Sequence, residues 1–284
     1  MPNTFATVKN IARQALPRLI ENLVFPNLVH RDFSEDFELG KGATIQVRKP
    51  VILTAEEFNG TINTQDVTEE TIDVTLDKLA TVDVAFSAME RATNVDDLNR
   101  LFIEPAAVAL AQKINTDGLA LLSGVTASEA VDPKSLDAFA QASKVLSKAN
   151  VPVTPRYGVW TPDAEAAFRT VPSIVNAEKS GTTEALRNGS IGRIFGIENY
   201  MAQGITGDIL GAAFHPYAFA FVTRPLAQPY SVESYTTSYN GITLRVSRAY
   251  DIKTKTDICS MDVLYGYKLI DKNLAVKLTA AAAG

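Results

Sequence analysis

Cysteine is nearly missing from this chain: Cys259 is the single one in 284 residues, so no internal disulfide staples the fold. A lone cysteine of this kind is expected as a small buried hydrophobe in a strand. Histidine is almost as scarce. His30 and His215 are the two present, and neither falls in a metal-ligating spacing such as H-E-x-x-H. Long apolar runs are missing as well. Ala106 to Ala111 and Ala218 to Val222 are the longest, far short of the ~20 residues that span a bilayer. No charged and then apolar leader follows Met1, so the expectation is a protein made in a cytoplasm with no membrane partner. Positive charge is not in excess either: 27 Lys and Arg stand against 32 Asp and Glu, a net charge of −5. That argues against a dedicated nucleic-acid binder, though not against a container whose wall holds nucleic acid without gripping every phosphate.

Catalytic patterns are wanting in the same way. There is no G-x-S-x-G elbow and no Walker glycine loop, and Gly192, Gly196, Gly204, Gly207 and Gly211 do not form G-x-G-x-x-G. Turns and bends account for them. Glu56-Glu57 and Glu69-Glu70 are adjacent pairs; on a strand such neighbours point to opposite faces and cannot form a general acid/base couple. The expectation is no catalytic residue, no cofactor and no metal. An enzyme would have to assemble its site from side chains far apart in the chain.

What is present is an ordinary globular mixture, 46% hydrophobic and 21% charged, at a length that suits one large domain or two modest ones. Residues 4 to 24 carry Phe5, Val8, Ile11, Ala12, Ala15 and Leu19 at helical spacing, with Pro17 expected to kink or end the helix. From Thr71 to Phe86 the even positions Ile72, Val74, Leu76, Ala80, Val82, Val84 and Phe86 are apolar. Most odd positions hold Thr or Asp, the period of a half-buried strand. Unbroken, the 15 residues from Ile72 to Phe86 would reach about 50 Å, with a bend near Lys78-Leu79 as the alternative. Ala43 to Leu53 alternates likewise and offers a partner strand across an acidic tip of Glu56, Glu57, Asp66, Glu69 and Glu70. A two-stranded ribbon buries too little to be stable alone in water, so cover from another subunit is expected.

Further along, Asn94 to Asp97 supplies capping side chains for a helix that restarts or kinks at Pro105 and stops at Gly124. Residues 135 to 149 read as an amphipathic helix, 156 to 160 as a buried strand, and Thr161-Pro162-Asp163 as a helix start. Residues 172 to 192 read as a loop or short helix, and 198 to 202 as a strand. Asn240-Gly241 is a two-residue hairpin turn that sets Tyr239 against Ile242, Thr237 against Leu244, Tyr235 against Val246 and Glu233 against Arg248. Leu274, Val276 and Leu278 alternate once more. Mixed helices and strands, with a mostly β C-terminal third, make the class α+β.

In this order of parts, Leu76-Asp-Lys-Leu-Ala-Thr-Val-Asp-Val-Ala-Phe86 leads to Asn94-Val-Asp-Asp-Leu98, then to Ile103-Glu-Pro-Ala-Ala107 and Ala111-Gln-Lys-Ile-Asn-Thr-Asp117. Gly192 to Tyr200 and Asp262 to Gly266 follow. The sequence resembles the major capsid proteins of tailed bacteriophages, which share the Hong Kong phage capsid fold, and looks closest to the coat-protein branch of short-tailed Salmonella phages. Members of that branch can carry an inserted β-domain, for which this chain is too short. The resemblance implies an N-terminal arm (1–40), an extended hairpin or E-loop (41–86), a peripheral domain with a spine helix (87–125 and 226–284) and an axial domain (126–225). It implies a virion protein that assembles with itself into hexamers and pentamers of an icosahedral shell. Scaffold and portal proteins would be its partners, and packaged double-stranded DNA would be contacted non-specifically. Contact between subunits would draw on Arg48, Lys49, Glu56, Glu57, Asp66, Glu69, Glu70, Val82 and Val84. An encapsulin-like compartment and a phage tail or baseplate protein are the competing expectations.

Overall fold

The computed structural model describes residues 8–31, 44–48, 55, 57, 60, 71–87, 98–175, 191–239 and 241–281. In chain order the first elements are α1 (Val8–Asn22), α2 (Phe25–Leu28), β1 (Thr44–Arg48), β2 (Thr71–Thr75) and β3 (Lys78–Ser87). Then come α3 (Leu98–Leu119), β4 (Ser128–Val131), α4 (Asp137–Lys148), β5 (Arg156–Trp160), α5 (Pro162–Phe168) and α6 (Pro172–Val175). The rest is strand: β6 (Arg193–Ile194), β7 (Ile197–Met201), β8 (Ile209–Phe214), β9 (Phe219–Arg224), β10 (Glu233–Tyr239), β11 (Ile242–Asp251), β12 (Thr256–Leu269) and β13 (Ala275–Ala280).

The first sheet runs β10-β11-β12-β3, with β9 also on β12. Its register about the 240–241 turn is the one the sequence predicts, from Tyr239 opposite Ile242 to Glu233 opposite Arg248. Gly241 supplies the positive φ, +71°, that such a turn requires. Strand β3 pairs antiparallel with β12 over its whole length, Ser87 opposite Thr256 to Lys78 opposite Tyr265. One face of this sheet is apolar: Leu244, Val246, Met261, Val263 and Tyr265 are buried, together with Cys259. Burial pushes the Cys259 thiol up to about 11, so it stays protonated and inert at neutral pH.

Helices α1 and α3 cover that face. Helix α1 buries Val8, Ile11, Ala12, Ala15, Leu16 and Leu19, one stripe at three- and four-residue spacing. It continues through Pro17 to Asn22, where the sequence led us to expect an end or kink. The lost hydrogen bond is outweighed by a stripe in which Ala12, Ala15 and Leu19 are wholly buried. Residues 8–31 of the expected arm therefore lie on this chain's own body. Asn115 of α3 holds the end of α1: its Oδ1 accepts from the backbone N–H of Val24 (3.1 Å) and Phe25 (3.2 Å), and its Nδ2 donates to Asn22 O (3.0 Å). Helix α3 likewise runs unbroken across Pro105; the expected caps at residues 94 to 97 lie outside the described residues.

The second sheet has the order β4-β13-β8-β5-β7-β6. Trp160, Phe139 and Phe168 form its aromatic centre, with ring centroids 4.6 to 5.0 Å apart. Thr161 caps α5, its Oγ1 accepting from Ala164 N at 3.3 Å. Arg156 is buried beneath α4 and closes the α4–β5 connection, donating to Val151 O (2.7 Å), Pro152 O (2.9 Å) and Ser147 Oγ (3.2 Å). β9 pairs with β12 of the first sheet, whereas β13 pairs with β4 and β8 of the second. Alternation identifies a strand without saying which sheet receives it.

Candidate functional site

The expected ribbon exists at its root. Strands β1 and β2 pair antiparallel from Thr44 opposite Thr75 to Arg48 opposite Thr71. Val47 and Val74 point inward and are buried, packing with Leu76 on Ala220, Val222 and Ile270. Thr71, Asp73 and Thr75 face solvent. One face in and one out is what period-two alternation dictates. At the root these residues pack on this chain's own strand β9 and its neighbour Ile270.

The long strand is divided. Pairing stops at Leu76-Asp77, just ahead of the expected bend, and β3 continues in the five-stranded sheet. Val82 and Val84 are half-buried there against the core that α1 and α3 share. Their strand is paired along its length with β12, nearly 180 residues downstream. At the crossing the chain passes directly over Gly266. A Cβ built on that residue would lie 2.0 Å from Thr75 O and 2.9 Å from Thr75 C, so the backbones meet at a distance only glycine permits.

Below the crossing, Asp117 of α3 gathers two hydrogen-bond donors and a further cation. Tyr265 Oη donates at 2.6 Å and Lys113 Nζ at 2.8 Å, while Lys78 Nζ lies at 3.6 Å. Burial works to raise the Asp117 carboxyl, but the hydrogen bonds from Lys113 and Tyr265 and the charges of Lys78 and Lys113 outweigh it, and its pKa falls below the ordinary value. Burial, and then the bond to Asp117, push the Tyr265 hydroxyl upward. The clasp thus joins α3, β3 and β12 at the point where the ribbon leaves the body.

Of the other expected contact residues, Arg48 pairs through its backbone in β1, and Glu57 is exposed. Lys49, Glu56, Asp66, Glu69 and Glu70 lie outside the described residues. Among the described residues no group of three or more His, Cys, Asp or Glu is placed to hold a metal, and no helix is long and apolar enough to cross a membrane. His215 is buried, and burial together with the Arg156 charge lowers its pKa, leaving it neutral and accepting from Tyr217 N. A cleft of about 590 Å³ beside α5 holds the carboxylates of Asp163 and Asp208 but no histidine, lysine or cysteine. The sequence did not single out Asp117, Tyr265 or Gly266 as partners. Tyr265 meets Asp117 across 148 residues of chain, and Gly266 meets Thr75 across a longer stretch still, for which one sequence carries no signal.

Neither a protein-family model nor a curated protein sequence matches this chain. Solved structures do. A chain from Mycobacterium phage Che8 superposes with a TM-score of 0.69 at 21% identity, covering 90% of each chain. A chain from the capsid structure of cyanophage P-SCSP1u gives 0.61 at 14% identity, covering 86% of this chain and 85% of that one. The fold is that of a phage capsid chain. A chain from the virus-like particle of Pyrococcus furiosus also matches, with a TM-score of 0.55 at 11% identity over 95% and 98% of the two chains.

Proposed function

We propose that this chain is the major capsid protein of a tailed bacteriophage, a structural subunit that assembles with itself into an icosahedral shell around the genome. The observation that carries this is the end-to-end likeness in fold to phage structures, 90% of both chains in the best-scoring case described above. A ribbon rooted on the body and leading into a strongly acidic segment supports it. Closed symmetric assembly multiplies a modest contact many times, so weak pairwise affinity suffices for a stable container. On this reading hexamers and pentamers build the wall, and scaffold and portal proteins are partners during assembly. DNA is held without sequence preference, and the product is a virion component with no catalytic step. The nearer kinship with the coat proteins of short-tailed Salmonella phages rests on the residues from Leu76 to Phe86 and from Gly192 to Tyr200.

A second reading, an encapsulin-like protein compartment, is favoured by the likeness to the Pyrococcus furiosus particle, which covers nearly all of both chains at a lower TM-score. Electron microscopy of the purified protein, expressed alone and with a co-expressed scaffold, tests both. Closed shells that admit a portal and package DNA fit the first reading. Shells that form without scaffold and retain a cargo enzyme fit the second. Tubes or small rings would contradict both and restore the tail or baseplate alternative.

A further inference from the structure

The tip of the β11–β12 hairpin, Ile252 to Lys255, is exposed. β10 pairs with β11 only as far as Arg248, so Ala249 to Asp251 and the four-residue turn extend past β10, while β3 stays paired with β12 as far as Thr256. Tyr250 and Ile252 are 56% and 78% exposed on this projection, and Lys253 and Lys255 are exposed beside them. The turn is held firmly: Asp251 accepts from Lys253 N at 2.8 Å and Thr254 Oγ1 at 2.9 Å. Lys255 occupies the left-handed region at φ +54°, where a side chain other than Gly or Asn is uncommon. An ordered apolar knob flanked by two cations is the form of a recognition element, since little entropy is lost when it docks.

Its complement lies beyond the opposite end of β3, on the separate β1–β2 sheet and the link from it. The ribbon and its root, residues 41 to 77, hold seven acids against three bases, four of the chain's five net negative charges. Asp73 on β2, Asp77 in the link and Leu79 at the start of β3 are all exposed, Leu79 by 53%. Lys78 and Lys113 at the root are engaged by Asp117. Thr256 pairs with the far end of β3 and Tyr265 with its start, so about 30 Å of strand separates the tip from the acids. Within one copy the two patches cannot meet.

We infer that the β11–β12 tip, through Ile252, Lys253 and Lys255, docks on the acidic outer face of the ribbon root, Asp73, Asp77 and Leu79, of a second copy of this chain. The inference deepens the shell reading and rests on it. Two different patches at opposite ends of one subunit make a head-to-tail contact, the kind that closes rings. The charges set partner and orientation, while Ile252 against Leu79 excludes water between them.

The test is a charge exchange in the full-length chain. K253E/K255E and D73K/D77K are each expected to lower the assembled fraction, measured by sedimentation and electron microscopy, at least about tenfold, and their combination to restore most of it. Ile252→Ser should also lower assembly while leaving the melting temperature of the free subunit unchanged. Assembly of either charge variant at the wild-type level, or a combination no better than its parents, overturns the contact. Normal shells of K253E/K255E that retain less nucleic acid would assign the lysines to phosphate and overturn it too. A wild-type chain that stays monomeric at every concentration defeats the shell reading and this one together. Wild-type shells indifferent to the exchange defeat this one alone.

Discussion

Removing the Asp117 carboxylate is the sharpest probe of how the ribbon is fastened. Its bonds differ in worth. Lys113 is 61% exposed, and Lys78 is 38% exposed at 3.6 Å; such solvated pairs contribute roughly 0–1 kcal/mol each. The Tyr265 bond is short, joins a hydroxyl to a charge, and lies on a carboxylate only 15% exposed, a class worth about 1.5–3 kcal/mol. Asp117→Ala should therefore cost about 2–4 kcal/mol, Tyr265→Phe about 1.5–2, and Lys113→Ala under about 0.5. The double variant D117A/Y265F should lose less than the sum, by a coupling of at least about 1.5 kcal/mol. Urea unfolding of unassembled subunit measures this, with circular dichroism following the whole fold and Trp160 fluorescence reporting on the second sheet. A coupling below about 0.5 kcal/mol, or equal losses for Lys113→Ala and Asp117→Ala, would refute the ranking.

Three further outcomes follow from the same region. Gly266→Ala places a Cβ 2.0 Å from Thr75 O; overpacking against immobile backbone should destabilise by about 1–3 kcal/mol, seen as a lower melting temperature and faster proteolysis between residues 44 and 75. Val82→Asp puts a charge against this chain's own core, so the free subunit should lose about 2–4 kcal/mol; a variant that folds as well as wild type yet does not assemble would show that the side chain serves a neighbour after all. Because the folded pKa of Asp117 lies below the ordinary 3.8, its contribution is complete above that value and disappears as pH falls through the depressed one. The urea midpoint gap between wild type and Asp117→Asn should accordingly be constant near neutrality and narrow in strong acid.

How far the sequence foretold the structure is clearest in the strands. The 240–241 turn fixed a complete hairpin register, because a two-residue loop leaves one pairing and both strands alternate in step with it. Helix α4 and strand β5 fell close to their expected bounds, where the pattern of apolar residues marks each element. The segment from Ile72 to Phe86 was legible as strand and illegible as topology. Alternation states that one face is covered, and the same pattern serves a ribbon lying on a neighbour or a strand inside its own sheet. Neither Pro17 nor Pro105 ends its helix, since the local cost of proline is visible in a sequence and the tertiary burial that offsets it is not. The Asp117 clasp and the Gly266 crossing join residues that nothing local connects.

The pairing of β3 with β12 also has a consequence for synthesis. Lys78 to Ser87 leaves the ribosome long before Thr256 to Tyr265, a wait of roughly 10–40 s at typical elongation rates. During that interval the nascent chain carries a ten-residue strand with its natural partner unmade. Growing chains crowded on one message are thereby exposed to pairing with each other, and a chaperone that shields this stretch until translation ends would raise the yield of competent subunits.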